Sequence, residues 1–600
     1  MRAYSWLLSV FFIYTISVTA TDLNTTLHRR SFVSGPWSLS QHGTTGVAAM
    51  QLAIVSETKA IIYDKVEHNP LVNNGNLAWA AEYDITTDAV RALNPQTNSF
   101  CAAGAHLSNG TLVNTGGNPV VLTGDNTGLQ AIRLFTPCDT GTCDIFESPT
   151  LVRLTSPRWY PSASRLDDGS VIIFGGAFGG GFINGAGLNN PTYEFYPPKN
   201  INGFNGLQIP SPFLNDTLNG NQFPIIIVLP DGTLFIAANT QAMIFNWRTN
   251  VETRLPGIPN GVRITSPFSA AAVLLPLTPA NNYTAEVLIC GGSTISDTAT
   301  PSTLSSQTPA SNQCIRMVLN TAGIAAGWQV ETMPQARIMA DAVLLPDGRV
   351  LIINGAQTGV AGYGNVEDQI GESNADNPAF QGVYYNPAAA VGSRFEQADL
   401  PTSDIARMYH SVATLTPNAT IMIAGSNPNL DVSTTKYATE YRVEWLSPSY
   451  LNQARPTYTG LPATINYGTT FTLTITLPSS VTSVTVSLMD LGFATHGVHM
   501  DHRLVQLVAT LSSNLTTLTI QAPPTAMIYP PGPAYLYILT NEGVPSFGHQ
   551  TIIGTGASPP VDEGAIANML ARTHPPQILP WPETGEGSET QVGPIPAPTA

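Results

Sequence analysis

The sequence predicts an all-β chain, a seven-bladed β-propeller followed by a β-sandwich. Two observations predict the first part and one the second. Seven short β-branched runs recur, beginning at Ala60, Thr111, Val171, Thr233, Val287, Val350 and Thr420. Several follow an Asn-Gly or Asp-Gly turn, as at Asn109-Gly110, Asp168-Gly169, Asp231-Gly232 and Asp347-Gly348. This is hairpin chemistry repeated about every 50 to 70 residues. Beyond Ala454-Arg455-Pro456 the pattern changes to strict alternation, as in residues 471–477 and 535–539, and a period of two marks strands with one buried face.

In chain order, residues 1–20 read as a signal peptide: residues 6–18 are an apolar run too short for a bilayer, and Val18-Thr19-Ala20 is a small-residue cleavage site. No later run reaches the roughly 20 apolar residues a membrane helix needs. Residues 31–451 form the propeller, whose pattern resembles the kelch type with four-stranded blades around a channel. Pairing of residues 32–40 beside 439–445 would close the ring and remove an exposed sheet edge. Residues 452–555 form an immunoglobulin-like domain. Residues 556–600, rich in Pro, Gly and Glu, read as a flexible tail.

A formal net charge of −16 with 24 Lys and Arg leaves no basic surface for phosphates, which argues against nucleic acid. Six sequons, at Asn24, Asn109, Asn215, Asn282, Asn418 and Asn514, fit a secreted, extracellular glycoprotein. Five cysteines leave one over after pairing. Cys138 and Cys143 bracket a four-residue loop, and Cys290 and Cys314 flank a Ser/Thr-rich segment, so both pairs read as disulfides. Cys101 is the odd one, on the plain reading a buried free thiol.

Aligning the repeats on their turns places Arg158-Trp159-Tyr160-Pro161-Ser162 beside Arg337-Ile338-Met339-Ala340-Asp341 and Arg407-Met408-Tyr409-His410-Ser411. The position two after the Arg is then held by Cys101, Tyr160, Phe223, Met339 and Tyr409 in different repeats. Equivalent positions would ring one mouth of the channel, bringing a thiol and two phenols together; the plain alternative is that these rings only plug the axis. His410 follows Tyr409, and His496 lies between two strands of the second domain. Imidazole and phenolate suit Cu(II), which favours tetragonal N/O coordination. His499 and His502 read as caps of backbone groups and stay outside the set, and Asp501 and Arg503 are placed to pair locally.

Four segments, Phe100-Cys101-Ala102-Ala103-Gly104, Arg158 to Ser162, Arg407 to Ser411 and Ala494-Thr495-His496-Gly497, resemble in chain order the galactose oxidase and glyoxal oxidase family of copper-radical oxidases. The segment 190–198 resembles the glyoxal oxidase branch. The resemblance implies one copper ion and a protein-derived Cys-Tyr radical cofactor: Tyr160 cross-linked to Cys101 by a thioether, His410 and His496 as nitrogen ligands, and Tyr409 as axial phenolate. It makes Phe178 the candidate ring shielding the radical, with Phe182 nearby.

The implied activity is oxidation of small aldehydes of the glyoxal and methylglyoxal type to carboxylic acids, with O₂ reduced to H₂O₂. Substrate and O₂ would be the partners of a monomer, together with extracellular peroxidases that use or activate with H₂O₂. Removing two electrons from substrate explains why one copper, which accepts one, would need a tyrosyl radical as second store. A related oxidase of primary alcohols and a non-catalytic glycan-binding kelch propeller are the competing readings. The latter accounts for blades and sequons but not for a thiol and phenols at one repeat position.

Overall fold

The computed structural model describes residues 35–73, 75–119, 125–138 and 140–579. The expected signal peptide, the Asn24 sequon and residues 580–600 of the expected tail lie outside them.

The Asp-Gly turns form hairpins. At the first of them Gly169 takes φ +82° and its N–H donates to the Leu166 carbonyl at 2.9 Å, while Asp168 accepts from the Ser170 amide at 3.1 Å. This sets Ser162–Arg165 against Val171–Phe174, with Thr192–Tyr196 and Ile209–Pro210 added outward. Four-stranded antiparallel sheets of the same order begin at Ile225–Val228, Ala270–Leu274 and Asp341–Leu344.

The expected seven-bladed kelch-like propeller and immunoglobulin-like sandwich are corrected by the strand pairing. Among the described residues the strands form eleven separate open sheets; no ladder passes from one sheet to another, and none closes on itself. The sheets are also unequal. Ala103–His106 belongs to a sheet of three strands, whereas Gln51–Ile54 belongs to one of six, because Phe493–Thr495 and Val498–Met500 join it from beyond residue 452. Ser38–Thr44 pairs with Arg442–Ser447, so the expected pairing of the chain start with this region occurs further along and lengthens one sheet only. The last part of the chain forms sheets of four and five strands, with a parallel pair between Thr464–Ile465 and His549–Ile553. Turn chemistry and alternation act between sequence neighbours, so they specify hairpins and carry no information on how sheets curve or meet. The architecture is a largely β, multi-sheet arrangement.

The expected flexible tail is corrected over part of its length. Glu563–Arg572 is a helix, capped by Asp562 accepting from the Ala565 amide at 2.9 Å and burying Ala565 and Met569. Arg153 donates to the Leu570 and Thr573 carbonyls at its C-terminal end, satisfying acceptors a helix end leaves open. Among the described residues no helix is long and apolar enough to cross a membrane. Sulfur–sulfur bonds join Cys138 to Cys143 and Cys290 to Cys314, the latter across paired strands. Of the described sequon asparagines, Asn215, Asn282, Asn418 and Asn514 are exposed and Asn109 is half-buried.

The repeated arginine ties each strand start to the turn across its hairpin. Arg158 donates to Glu194 at 2.8 Å and to the Gly175 carbonyl at 2.7 Å; Arg407 donates to Glu444 at 2.9 Å and to the Gly425 carbonyl at 2.8 Å. Arg337 has carbonyl partners instead, Asn354 among them, and burial lowers its guanidinium to about 10.

Glu194→Gln leaves the Arg158 guanidinium buried without its counter-charge and should cost about 3–5 kcal/mol in chemical denaturation. Glu440→Gln, whose partner Arg442 is half exposed, should cost less than about 1 kcal/mol.

Asp341 is buried and accepts from Asn354 at 2.9 Å, and burial pushes its carboxyl from 3.8 up to about 8. The folded chain keeps this proton where the unfolded chain has released it, so its contribution is complete below about pH 4 and lost as pH rises to about 8. Asp341→Asn should flatten that part of the stability profile in thermal unfolding across this range.

Candidate metal centre

The site begins with a backbone conformation. Cys101, Tyr160, Phe223 and Met339 each lie two residues before the first strand of a sheet and adopt φ between +48° and +59°. Left-handed backbone is uncommon outside glycine. It turns each chain inward just before its strand, and hydrogen bonds link these turns, from the Tyr160 amide to the Cys101 carbonyl at 3.2 Å and from the Phe223 amide to the Tyr160 carbonyl at 2.9 Å.

The last repeat departs from the sequence register by one residue. Ser162 pairs with Phe174, but the residue in the equivalent ladder position, opposite Ala424, is Val412. That is four residues after Arg158 and five after Arg407. His410, at φ +65°, therefore occupies the place of Tyr160, while Tyr409 does not share the left-handed backbone. The extra residue delivers a phenol and an imidazole from one turn.

His496 arrives from the opposite side at the tip of the hairpin formed by Phe493–Thr495 and Val498–Met500, at φ +51°. Pairing of this hairpin with Gln51–Ile54 fixes its reach. The Thr495 hydroxyl meets His496 Nδ1 at 2.6 Å, which leaves Nε2 facing Cys101 Sγ at 3.1 Å.

Cys101, Tyr160, Tyr409, His410 and His496 are thereby brought together, all buried. One ligand atom from each of Cys101, His410 and His496 lies within 4.8 Å of the others. Cys101 Sγ is 3.9 Å from the Tyr409 hydroxyl, and the Tyr160 and Tyr409 hydroxyls are hydrogen-bonded to each other. The His410 and His496 ring centroids are 4.8 Å apart. Cys101 is a free thiol in this structure.

The donor set fits a copper ion. Both nitrogens of His410 are buried without a hydrogen-bond partner, which is costly unless something else engages them. Burial holds the His410 imidazole well below 6.5 and lowers His496 to about 3, so both are neutral with a lone pair to offer. Burial, with Cys101 next in effect, raises the phenols of Tyr160 and Tyr409 well above 10. A phenolate at either position therefore calls for a neighbouring cation.

The rings around Tyr160 correct one expectation. Trp159 meets it edge-on at 4.6 Å and Phe223 at 4.9 Å, whereas Phe178 is 44 % exposed and, among the described residues, makes no ring contact with Tyr160. The glycine-rich loop carries Phe178 outward, with its amide bonded to the Leu188 carbonyl. Tyr363, from the hairpin of Ala356–Tyr363 and Ser373–Pro378, stands 6.2 Å from Tyr409 and 6.4 Å from His410. It lies in an insertion with no repeat register, so no periodic signal marked it. His499 and His502 lie outside the centre, and His499 Nε2 donates to the Leu491 carbonyl. Asp501 accepts from Ser164 and the Arg165 amide, and Arg503 donates to the Ile528 carbonyl, so no bond joins that expected pair.

The family model described as glyoxal oxidase N-terminus matches residues 50–450, and that of the galactose oxidase-like early set domain matches residues 455–553. The chain belongs to the glyoxal oxidase family. It is 32 % identical over 545 residues to an aldehyde oxidase of Vitis pseudoreticulata, covering 85 % of this chain and 96 % of that one. It is 33 % identical over 488 residues to an aldehyde oxidase of Arabidopsis thaliana, covering 78 % and 73 %. The solved structure of a fungal alcohol oxidase in complex with copper shares the fold, with a TM-score of 0.65 at 16 % identity, covering 87 % of this chain and all of that one. This glyoxal oxidase family member is a copper-dependent oxidoreductase, a copper-radical oxidase whose candidate copper site gathers Cys101, His410 and His496 beside Tyr409.

Either His410→Ala or His496→Ala removes one of the two imidazoles and should abolish stoichiometric copper binding, read by metal analysis after dialysis. A variant that kept one copper per chain with an unchanged spectrum would take that histidine out of the centre.

Proposed function

We propose that this chain oxidises hydrated small aldehydes of the glyoxal and methylglyoxal type: RCH(OH)₂ + O₂ gives RCOOH + H₂O₂. The observation that carries it is the convergence of one thiol, two phenols and two neutral imidazoles in one buried site. The names of the Vitis and Arabidopsis relatives as aldehyde oxidases support the choice of substrate.

In this reading Tyr160, Tyr409, His410 and His496 hold the metal, and Cys101 and Tyr160 lose two hydrogens to O₂ as a thioether forms between them. Copper bound there supplies a one-electron store and promotes reduction of O₂. Tyr409 accepts the proton of the substrate hydroxyl, for which its oxygen is placed by the hydrogen bond to Tyr160. Tyr160, oxidised by one electron and with its spin spread onto sulfur, takes a hydrogen atom from the substrate carbon. Trp159 and Phe223 pack on the Tyr160 ring and exclude water from it.

We place the division of the chain near residues 451 and 452, a reading supported by the two family-model spans. We assign the chain an extracellular setting, supported by the signal-peptide pattern, the exposed sequons and the two disulfides.

Peroxide release from copper-loaded protein, assayed with glyoxal, methylglyoxal, glycerol and galactose, tests the reading. Glyoxal and methylglyoxal should dominate; preference for glycerol or galactose would move the assignment to alcohols. Cys101→Ser should keep copper while turnover falls by orders of magnitude. Loss of copper along with turnover would instead make Cys101 a thiolate ligand, and wild-type turnover would remove it from the chemistry.

A further inference from the structure

The hairpin that carries His496 is held by a strand ladder on one side only. Phe493–Thr495 pairs with Gln51–Ile54, whereas Val498–Met500 is the outer strand of its sheet. Its free side approaches the first strands of four sheets, Ser162–Arg165 among them, the strand that starts two residues after Tyr160. What joins that strand to the hairpin is a set of side-chain bonds centred on Asp501, at φ +63° directly after the hairpin. Asp501 Oδ1 accepts from the Ser164 hydroxyl and from the Arg165 amide, both at 2.8 Å, and the Ala163 amide meets Met500 Sδ at 3.4 Å. Arg165 in turn is ion-paired with Asp490, whose Oδ1 accepts from the Gly492 amide at 2.9 Å at the root of the same hairpin.

A second observation lies beside this joint. A cavity of about 40 Å³ is lined by Arg165, Asp490, His499, Asp501 and His502. Asp501 Oδ2, Arg165 Nε and Nη1, His499 Nδ1 and both nitrogens of His502 are buried there without a protein hydrogen-bond partner. The lining is mixed, with apolar side chains such as Ile226 and Val273 beside these polar atoms, and a space of this size accommodates about three waters. Two guanidinium groups, Arg165 and Arg503, also line it and disfavour a cation.

Resting on the reading of the metal centre given above, we propose that Asp501 is a positioning residue for that centre. It fixes His496 relative to Tyr160 by joining their two segments, directly through Oδ1 and through solvent held in the cavity at Oδ2. The distance is short in sequence on both sides: Asp501 is five residues from His496, and Arg165 five from Tyr160. Slack at this joint moves an imidazole ligand against a phenol ligand without removing either.

The test uses the copper-loaded full chain and reads copper affinity by chelator competition, the Cu(II) EPR spectrum with the tyrosines reduced, and Tm. Asp501→Ala should weaken copper binding about tenfold or more and change the hyperfine splitting. Asp501→Asn, which keeps the Oδ1 acceptor, should restore most of both. Asp297→Ala removes a buried carboxylate with comparable partners in Asn219, Asn239 and Arg263; it should lower Tm with affinity and spectrum unchanged. Asp501→Ala behaving like Asp297→Ala would overturn the proposal. Should Asp501→Ala not fold, Ser164→Ala removes one of the two donors and should show a smaller change in the same direction; an unaltered spectrum there would overturn it equally. Wild-type protein that binds no copper would contradict the metal centre itself, which is a separate failure.

Discussion

The centre rests on left-handed backbone held where it is costly. Cys101, Tyr160, His410 and His496 all lie at φ between +51° and +65°, a region that costs a non-glycine residue of order 1–3 kcal/mol and persists only when the surroundings over-determine it. Here the surroundings do. Each turn is followed by a strand with a fully paired neighbour, and two of the turns are bonded directly, amide to carbonyl. Phe223 and Met339 share the conformation without carrying polar chemistry. The strain therefore belongs to the repeat, and the site uses it by placing a thiol, a phenol and an imidazole where other repeats place apolar side chains.

Buried arginine clamps make this arrangement rigid. Arg158 and Arg407 sit two and three residues before Tyr160 and His410, each bonded to a glutamate on the third strand of its own sheet and to a carbonyl at or just past the end of the second. Such pairs give little net stability, since desolvation offsets most of their attraction, but they are expensive to break. That asymmetry suits a site whose parts come from segments as far apart as the 395 residues between Cys101 and His496. Neutral imidazoles and unionised phenols keep the assembled site free of unpaired charge, in a state poised for a cation.

Much of this was legible in the sequence because it is local. Asp-Gly turns, β-branched runs and the repeated arginine mark where each strand starts, and from there Cys101 and Tyr160 fall at equivalent places. The same register misplaced Tyr409 by one, since a single inserted residue between Arg407 and Val412 leaves no compositional trace. The resemblance marks Phe178 as the shielding ring, yet the rings that pack on Tyr160 include its chain neighbour Trp159 and Phe223. The joining of residues 493–500 to the sheet of Gln51–Ile54, the helix Glu563–Arg572 and the placement of Tyr363 were out of reach for a common reason. Each depends on contacts between segments distant in sequence, such as Arg153 with Leu570, which no periodicity encodes.

In the proposed mechanism Cys101 and Tyr160 act as one redox unit. Peptide mass analysis of copper-treated, O₂-exposed protein tests it most directly. The expected result is a single species joining the Cys101 and Tyr160 peptides, two hydrogens lighter than their sum and stable to thiol reductants. Separate peptides of unmodified mass in protein that turns over substrate would contradict it.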